Sequence, residues 1–484
     1  MKIRRTLCGV SVVALILGTL SGCGGEDYER LLDRASPVTV TVWHYYNGVQ
    51  QTQFDEMVSR FNNTVGSEKG IYVEAFSKNS VSELSESVLA AVNEEPGAEN
   101  APNIFATYVE TAYRVDRLEK LAELGKYFTE DEKAEYVGEY LGEGTFGDSL
   151  VIFPTAKSTE VMMLNLTDWE GFAQAEGVTY DDLATWESLT ETAGKYYEYT
   201  DAKTPEIPND GKAFFGRDAV ANYMMIGAKQ LGHPFARADA DGNVTVSADR
   251  DTLRKLWENF YVPYVKGYFT AESRFRSDDA KTGSIIALVC STTGAAYYPT
   301  EVTVNDDYTY PIENVVLQVP NFEGTEPYVV QQGAGMSVIK ADEKTEYACA
   351  VFLKWFTEEE RNIGFSVNSG YLPVKKSANS YEKIVSCEEA EGISDTMLNT
   401  FSAAIGEINT YALYTSPPYE QSAQVRDFIG NTIENAAKAD QAAARERILA
   451  GEDRESVLSE YTGDAAFERF YAEFNEGLLS LAGQ

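Results

Sequence analysis

After Pro37, the pattern of hydrophobic and polar positions switches repeatedly between the period of a strand and the period of a helix. Residues 37–43, PVTVTVW, alternate apolar and polar side chains and are rich in β-branched residues, which predicts a strand. The following QTQFDEMVSRFNN carries Phe54, Met57, Val58 and Phe61 at helical spacing. The mature region is therefore expected to open with a strand and an amphipathic helix.

This alternation of strand and helix patterns continues. Residues 71–76 read as a second strand, 84–92 as a second helix and 102–108 as a short apolar strand. Strands that alternate with helices indicate α/β layering with a parallel sheet. Ligands bind at the carboxyl ends of such strands, and residues 43–46 (WHYY) and 107–110 (TYVE) both lie at predicted ends.

Later segments fit the same class. Residues 151–165 are strand-like with a proline break, residues 283–294 form an apolar strand that runs into a loop of small residues, and residues 331–339 are a strand entered through glycines. A capping-type helix start occurs at Thr185, and the pattern is mostly helical from about residue 394.

The N-terminus has the layout of a secretory signal. Lys2, Arg4 and Arg5 precede a short apolar run over residues 10–20, and small residues then lead to Cys23. The run is shorter than the roughly 20 residues that a membrane-spanning helix needs. An ordinary cleaved signal and a lipoprotein signal both remain open on this pattern.

Composition sets limits on size and partners. A chain of 484 residues exceeds what one hydrophobic core supports, so more than one lobe is expected. Hydrophobic residues make up 44% of the chain, which is enough for large cores. The formal net charge of −36 predicts repulsion of nucleic acid and of anionic lipid headgroups, and neither is an expected partner.

The cysteines and histidines indicate no metal or cofactor chemistry. Cys8 leaves with the signal, and if Cys23 is lipidated an odd number remains, Cys290, Cys349 and Cys387, so no disulfide framework is expected. Cys349 lies in an apolar helical pattern that is typical of a core. Two histidines are too few for a convincing metal site, and no phosphate-binding loop or nucleophile elbow occurs.

Residues 20–23, LSGC, resemble the lipobox of bacterial lipoproteins. That resemblance implies a signal peptide over residues 1–22, lipidation of the Cys23 thiol and a tether over residues 23–37. Several acyl chains would hold the protein stably at the extracytoplasmic face of the cell membrane.

The region from about Val38 to Leu478 resembles the extracellular solute-binding proteins of bacterial ABC importers, in particular the sugar and glycerol-3-phosphate binders. Three stretches carry the resemblance: VWHYYNGVQQTQFDEMVSRFNN, FPTAKSTEVMMLN, and the segment from GAGMSVIKADEKTEY to GYLPV. The three stretches occur in the same order as in the family, and they follow the lipobox-like segment.

The resemblance implies a two-lobed periplasmic-binding-protein-like fold, in which each lobe is a sheet flanked by helices and a hinge joins the lobes. Lobe 1 is expected over residues 38–154 and 335–380, and lobe 2 over residues 155–334 and 381–484. The hinge crossings are expected near residues 153–158 and 330–335, where Pro or Gly interrupts a strand pattern.

Aromatic side chains near predicted strand ends are candidates for stacking on sugar rings. They are Trp43, Tyr45, Tyr46, Tyr108, Tyr297, Tyr298 and Tyr371. Tyr371 matches the family's Gly-Tyr-Leu-Pro motif beside the cleft. His44 follows the first strand and is a candidate for shaping the cleft, although the pattern favours a structural histidine with satisfied hydrogen bonds.

Polar candidates follow from the same resemblance, and each has a structural alternative. Ser158 matches a solute-binding position of the crossover, and Gly333 would allow close backbone approach or serve the hinge. Ser291 and Thr292 match a loop of the glycerol-3-phosphate binders that suits an anion if a helix follows, or they cap that helix.

Two charged candidates complete the set. Glu110 corresponds to an acidic position that binds a glycerol hydroxyl, and Arg426 to a cleft arginine that pairs with phosphate, or else it is a surface residue. Val81 stands where the glycerol-3-phosphate binders are expected to carry a tyrosine. This departure leaves neutral sugars and oligosaccharides equally open.

The function that follows is capture of a carbohydrate-class solute and its delivery to the permease subunits of an ABC importer. We expect a monomer without a cofactor, a metal or enzymatic activity. A surface adhesin or sensory binding protein is the main alternative. A lipoprotein glycosidase is a further one, although its carboxylate pair cannot be recognised among 76 acidic residues.

Overall fold

The computed structural model describes residues 28–239 and 243–483. The predicted signal segment and Cys23 lie outside the described residues. Two separate sheets, each flanked by helices, form two lobes, which confirms the predicted fold class. Lobe 1 is the part built on the five-stranded sheet, and lobe 2 is the part built on the four-stranded sheet.

The strands are β1 (Val38–His44), β2 (Ile71–Ser77), β3 (Ile104–Thr107), β4 (Thr145–Phe146), β5 (Ser149–Leu150), β6 (Phe153–Pro154), β7 (Glu160–Asn165), β8 (Phe215–Arg217), β9 (Ala236–Ala238), β10 (Val244–Val246), β11 (Ala287–Ser291), β12 (Glu301–Asn305), β13 (Tyr308–Pro311), β14 (Asn314–Leu317), β15 (Tyr328–Val330), β16 (Gly335–Val338) and β17 (Ala412–Tyr414).

The α-helices are α1 (Gly48–Phe61), α2 (Ser67–Lys69), α3 (Val81–Val92), α4 (Val109–Asp116), α5 (Glu130–Ala134), α6 (Gly138–Glu143), α7 (Leu166–Glu176), α8 (Trp186–Asp201), α9 (Val220–Gln230), α10 (Arg250–Val265), α11 (Arg276–Thr282), α12 (Glu343–Phe356), α13 (Glu359–Ser369), α14 (Tyr381–Ser386), α15 (Asp395–Thr410), α16 (Ser422–Leu449), α17 (Arg454–Thr462) and α18 (Asp464–Leu481).

The lobe 1 sheet has the strand order β2-β1-β3-β16-β6. Strand β1 is parallel to β2 and β3, as the alternation of strands and helices predicts. Strand β16 is antiparallel to both β3 and β6, so the sheet is mixed and not all parallel. The reason is that β6 ends at Pro154 and β16 begins only at Gly335, after the chain has passed through lobe 2, so no local helical crossover joins the two strands.

The lobe 2 sheet has the order β14-β7-β11-β8, with β7 antiparallel to β11 and β14 and with β11 parallel to β8. All six residues of β7 are buried, because helices cover both faces of this sheet. The predicted strand with a proline break over residues 151–165 is thus two strands, β6 and β7, in different sheets.

Buried side chains form one core in lobe 1 and a core on each side of the lobe 2 sheet. Phe54 and Phe61 of α1 pack in the lobe 1 core, as their spacing predicts. Cys349 lies in the same core, and Cys290 lies in a lobe 2 core. Helix α13 serves both lobes, because Phe365 packs in lobe 1 and Ile363 in lobe 2.

Three chain segments lie side by side where the lobes meet. Ser158 pairs with Gln332 through two backbone hydrogen bonds of 2.9 Å, and Lys157 pairs with Leu372 in an antiparallel bridge. Gly333 adopts φ +82°, and a Cβ atom there would lie 2.6 Å from the Ala156 carbonyl oxygen. Only glycine fits this close crossing.

Helices dominate the chain after residue 394, and the longest, α16, has 28 residues. Among the residues that the structure describes, no helix combines the length and the apolar character needed to cross a membrane.

Candidate ligand-binding cleft

A cleft of about 1470 Å³, open to solvent, lies between the lobes. Both lobes and a crossing segment contribute to its lining. Lobe 1 contributes Val81, Ser82, Ser85, Glu86, Tyr108, Val109, Glu110, Thr111, Arg114 and Glu143. Lobe 2 contributes Met225, Ile226, Tyr414, Thr415, Ala423, Arg426 and Asp427. The crossing segment contributes Val330, Gln331 and Gln332. An adjoining hollow of about 520 Å³ shares Glu110 and Arg426 with the cleft and adds Tyr419.

The lobe 1 wall is formed by the first turns of α3 and α4. The Ser80 side chain caps α3 by accepting a hydrogen bond from the Glu83 N–H. The hydroxyl groups of Ser85 and Thr111 lie 2.8 Å apart and join the two helices. Helix α4 follows β3 directly, so Tyr108 and Glu110 are placed at the carboxyl end of a parallel strand, where a ligand is expected.

The lobe 2 wall contains Arg426, whose guanidinium is held by a buried polar chain. Its Nη2 donates to Asn222 Oδ1 at 2.5 Å, and Asn222 Nδ2 donates to Glu160 Oε1 at 2.8 Å. Glu160 Oε2 accepts from Arg217 Nη2 at 2.7 Å, and this ion pair is almost fully buried. Arg426 itself forms no ion pair within the described residues, so its charge is available to the cleft.

The base of the cleft contains a second buried ion pair, between Lys157 and Glu143. Lys157 Nζ also donates to the Gly333 carbonyl oxygen at 2.8 Å, which ties two crossing segments together. Ser158 lies beside them and is buried, with both backbone groups paired to Gln332. The predicted residues Ser158 and Gly333 therefore lie under the cleft, and their contact with a ligand stays a prediction.

A tyrosine cluster backs the lobe 1 wall. The hydroxyls of Tyr45 and Tyr371 lie 3.2 Å apart, and the Tyr45 ring stacks on Tyr108 with 6.2 Å between centroids. Burial raises the pKa of all three hydroxyls well above the ordinary value, so they remain protonated hydrogen-bond donors. Tyr108 reaches the cleft, whereas Tyr45 and Tyr371 support it from behind.

Trp43 and His44 lie in the lobe 1 core. The Trp43 ring is capped by Lys78 Nζ at 3.9 Å from its centroid. His44 is fully buried between Tyr46 and Phe54, and its Nδ1 accepts from the Tyr46 N–H at 3.2 Å. Burial lowers the pKa of His44 to about 4, so the ring is neutral. Direct contact of either residue with a ligand stays a prediction.

The loop after β11 does not lead into an α-helix. A four-residue 3₁₀ turn, Gly294–Tyr297, follows, so the anion site expected at a helix N-terminus lacks its helix. Ser291 Oγ instead accepts from the Gly294 N–H at 3.1 Å, which is a local turn contact. Thr292 is fully buried, Tyr298 is buried and Tyr297 is exposed. None of these four lines the cleft.

Several residues that line the cleft were missed by the sequence reasoning. The segment 414–419, YTSPPY, brings Tyr414 and Thr415 to the cleft and Tyr419 to the adjoining hollow. Two prolines between tyrosines are typical of a stiff loop. This pattern could have indicated that residues 414–419 line a binding site. Arg114 and Asp427 gave no such signal, because an exposed charge on a helix is common.

The cleft offers the groups that recognise a polyhydroxylated solute. Tyrosine rings supply stacking faces, the amides of Gln331 and Gln332 supply donors and acceptors, and Glu110 and Arg426 supply opposite charges. Over the ranges that the structure describes, no three His, Cys, Asp or Glu side chains gather into a cation site.

Comparison with known proteins agrees with this architecture. The model of the family described as bacterial extracellular solute-binding protein matches residues 56–391. A search of curated protein sequences found no match.

Solved structures of similar fold include three binding proteins. The cyclic alpha-maltosyl-1,6-maltose binding protein from Arthrobacter globiformis has a TM-score of 0.64 at 19% identity, over 91% of this chain and 100% of its own. UgpB from Mycobacterium tuberculosis, in complex with glycerophosphocholine, has a TM-score of 0.65 at 15% identity, over 93% and 99%. The substrate-binding protein Lmo0181 from Listeria monocytogenes, in complex with cycloalternan, has a TM-score of 0.61 at 14% identity, over 90% and 99%.

Proposed function

Because the chain belongs to the bacterial extracellular solute-binding protein family, we propose that it captures a carbohydrate-class solute between its lobes and delivers it to an ABC importer. The observation that carries the proposal is the cleft itself, in which Tyr108 and Glu110 of lobe 1 and Tyr414 and Arg426 of lobe 2 line one space. Family membership places the protein outside the cytoplasm.

The proposed solutes are a neutral oligosaccharide and a glycerol-phosphate compound. Two of the similar structures are named for cyclic oligosaccharides and one for glycerophosphocholine. Stacking on Tyr108 and Tyr414 favours a sugar ring. Arg426, which pairs with no carboxylate in the described chain, favours a phosphate.

The proposed mechanism is closure of the lobes about the crossing segments. A solute first contacts one wall, and closure then brings the other wall against it and removes water. The solute shifts the equilibrium between the open and the closed form only by the difference between its affinities for these two forms. The closed form would then dock on the permease subunits, and ATP would be hydrolysed elsewhere in the importer.

The lobe limits and the membrane attachment are part of the proposal. Lobe 1 comprises residues 38–154 and 335–380, and lobe 2 residues 155–334 and 381–484; the pairing of β16 with β3 and β6 supports this division. Lipidation of Cys23 would anchor the protein through the tether over residues 23–37. Metabolic labelling with a radioactive fatty acid, compared between the native chain and Cys23→Ala, tests the anchor.

A thermal-shift screen of the chain that starts after Cys23 tests the function. The panel contains mono- and oligosaccharides, polyols and sugar phosphates. A ligand at 100 times its Kd adds about 2.7 kcal/mol to the free energy of unfolding, which is a visible shift in Tm. Tyr108→Ala should weaken any response, and Arg426→Ala should abolish a response to glycerol-3-phosphate.

The matched control is Arg469→Ala, which removes an exposed arginine from α18 outside the cleft. A panel that leaves the Tm of the native chain unchanged would argue against a carbohydrate-class solute and favour an adhesin or sensory role.

A further inference from the structure

A second cavity, which is open to solvent and has a volume of about 1190 Å³, lies entirely within lobe 2. It is bordered by the loop 209–213, by the turn after α10 and by helices α16 and α17. It shares no lining residue with the interlobe cleft or with the hollow beside it. We call it the lobe 2 cavity.

Four basic side chains line this cavity: Lys212, Lys266, Arg445 and Arg454. The whole chain carries a net charge of −36 and only 40 basic residues, so four of them around one cavity reverse the local sign of the charge. The overall charge predicts repulsion of anions, and the lobe 2 cavity is a local exception to that prediction.

The two carboxylates in the lining, Asp210 and Glu272, offset two of the four positive charges, but within the described residues neither forms an ion pair with the cations. Asp210 Oδ1 accepts from the Thr204 hydroxyl at 2.6 Å, and Glu272 Oε2 accepts from the Ser284 hydroxyl at 3.1 Å.

The cations themselves are largely free of carboxylate partners. Arg454 has a long contact of 3.8 Å with Glu198. Within the described ranges Lys212, Lys266 and Arg445 form no ion pair. An anion entering the cavity would therefore compete with one ion pair, the long contact between Arg454 and Glu198.

An aromatic wall completes the cavity. The Arg454 guanidinium lies 4.7 Å from the centroid of the Tyr197 ring, and its Nη2 donates to the Lys266 carbonyl oxygen at 3.0 Å. Gly211 leaves room for the ring, because a Cβ atom there would lie 2.7 Å from its Cγ atom. At the rim, Leu449 is 67% exposed.

We propose that the lobe 2 cavity is a second ligand site that binds a phosphate group, independently of the solute in the cleft. Several lysines and arginines around one pocket suit a compact, multiply charged oxyanion. The phosphate could belong to a soluble phosphate ester or to the headgroup of an anionic phospholipid. The exposed Leu449 at the rim would then lie against the rest of the ligand.

Calorimetric titration of the purified protein with inorganic phosphate is the test. The double variant Lys212→Gln/Arg445→Gln changes two exposed side chains and should weaken phosphate binding at least tenfold. The control Lys120→Gln/Arg469→Gln makes the same change in charge at exposed positions elsewhere, and Arg426→Ala removes the cation of the cleft. Both should keep the affinity of the native protein.

Vesicle flotation distinguishes the two sources of phosphate. Binding to phosphatidylglycerol vesicles but not to phosphatidylcholine vesicles, lost in the double variant, would identify a headgroup site. Phosphate binding without vesicle binding would identify a site for a soluble ester. If inorganic phosphate and phosphatidylglycerol both fail to bind, or if the double variant binds as the native protein does, the proposal is wrong. If Arg426→Ala alone abolishes phosphate binding, the phosphate belongs to the cleft, and the proposal is equally wrong.

Discussion

The hydroxyl groups of Tyr45 and Tyr371 lie 3.2 Å apart, although 326 positions separate the two residues in the chain. One follows the first strand of lobe 1, and the other follows α13 after the chain has returned from lobe 2. This contact joins the beginning and the end of lobe 1 directly behind Tyr108, on the wall of the cleft.

The tyrosine contact should contribute measurably to stability. Tyr45→Phe or Tyr371→Phe alone leaves one buried hydroxyl without this partner, and each should lower the free energy of unfolding by about 1–3 kcal/mol. The double variant should lose less free energy of unfolding than the two single variants lose together. Urea unfolding of all four proteins gives the coupling energy, and strictly additive losses would contradict the contact.

Gly333→Ala should destabilise the protein through both strain and collision. At φ +82° an L-residue costs about 1–2 kcal/mol, and the new Cβ atom would lie 2.6 Å from the Ala156 carbonyl oxygen. Gly324→Ala is the matched control, because Gly324 has φ +72° with no atom within 4 Å of its Cβ position. Thermal unfolding should show the larger loss for Gly333→Ala, and equal losses would mean that the crossing is not close-packed.

Glu160→Gln should be strongly destabilising, because it leaves Arg217 buried without its charged partner. Breaking a buried ion pair costs about 3–5 kcal/mol. Glu258→Gln removes one of the two carboxylate partners of Arg254 at the surface, where a pair contributes about 0–1 kcal/mol. Denaturant unfolding separates the two cases. Similar small losses in both would show that the Glu160–Asn222–Arg426 chain does not hold the lobe 2 wall.

His44 should make stability depend on pH in the acidic range. The pKa of His44 is about 4 in the folded protein, whereas that of an ordinary histidine is 6.5, so the unfolded chain binds the proton more readily. Stability is therefore full above about pH 6.5, and it falls as pH decreases toward 4. The total loss from this group is about 3 kcal/mol, at about 1.36 kcal/mol per pKa unit.

The free energy of unfolding, measured from pH 4 to pH 7, should change less with pH for His44→Gln than for the native chain. His233→Gln carries the same substitution at an exposed position and serves as the control. If both variants keep the native pH dependence, the burial of His44 is not its cause.

Thr292→Val should be neutral or stabilising, because the buried Thr292 hydroxyl has no hydrogen-bond partner among the described residues. Thr159→Val is the control, since the Thr159 hydroxyl donates to the Val330 carbonyl oxygen at 3.0 Å and its removal should cost about 1 kcal/mol. A fall in solute affinity for Thr292→Val without a fall in stability would support the predicted ligand contact.

Much of the fold could be predicted from local patterns. The alternation over residues 37–43 corresponds to β1, and the spacing of Phe54, Met57, Val58 and Phe61 corresponds to the buried face of α1. The resemblance to the family predicted the two-lobed fold as well. The mixed direction of the lobe 1 sheet was missed, because periodicity reports burial and carries no information on the partner of a strand.

The sequence predicts only part of the lining of the cleft, for the same physical reason. The sequence predicts Glu110 and Arg426 one at a time as ligand residues, and both line the cleft. The tyrosines of residues 414–419 were not selected, and Ser291 and Thr292 lie away from the cleft because a 3₁₀ turn follows them.

By itself, the sequence determined the α/β class, the positions of the major strands and helices and the resemblance to solute-binding proteins, because these depend on the spacing of neighbouring side chains. Only the tertiary structure decided that Glu160, Asn222 and Arg426 form one chain and that four cations surround the lobe 2 cavity. Those groupings join residues far apart in sequence, and their positions follow from the order in which strands and helices pack.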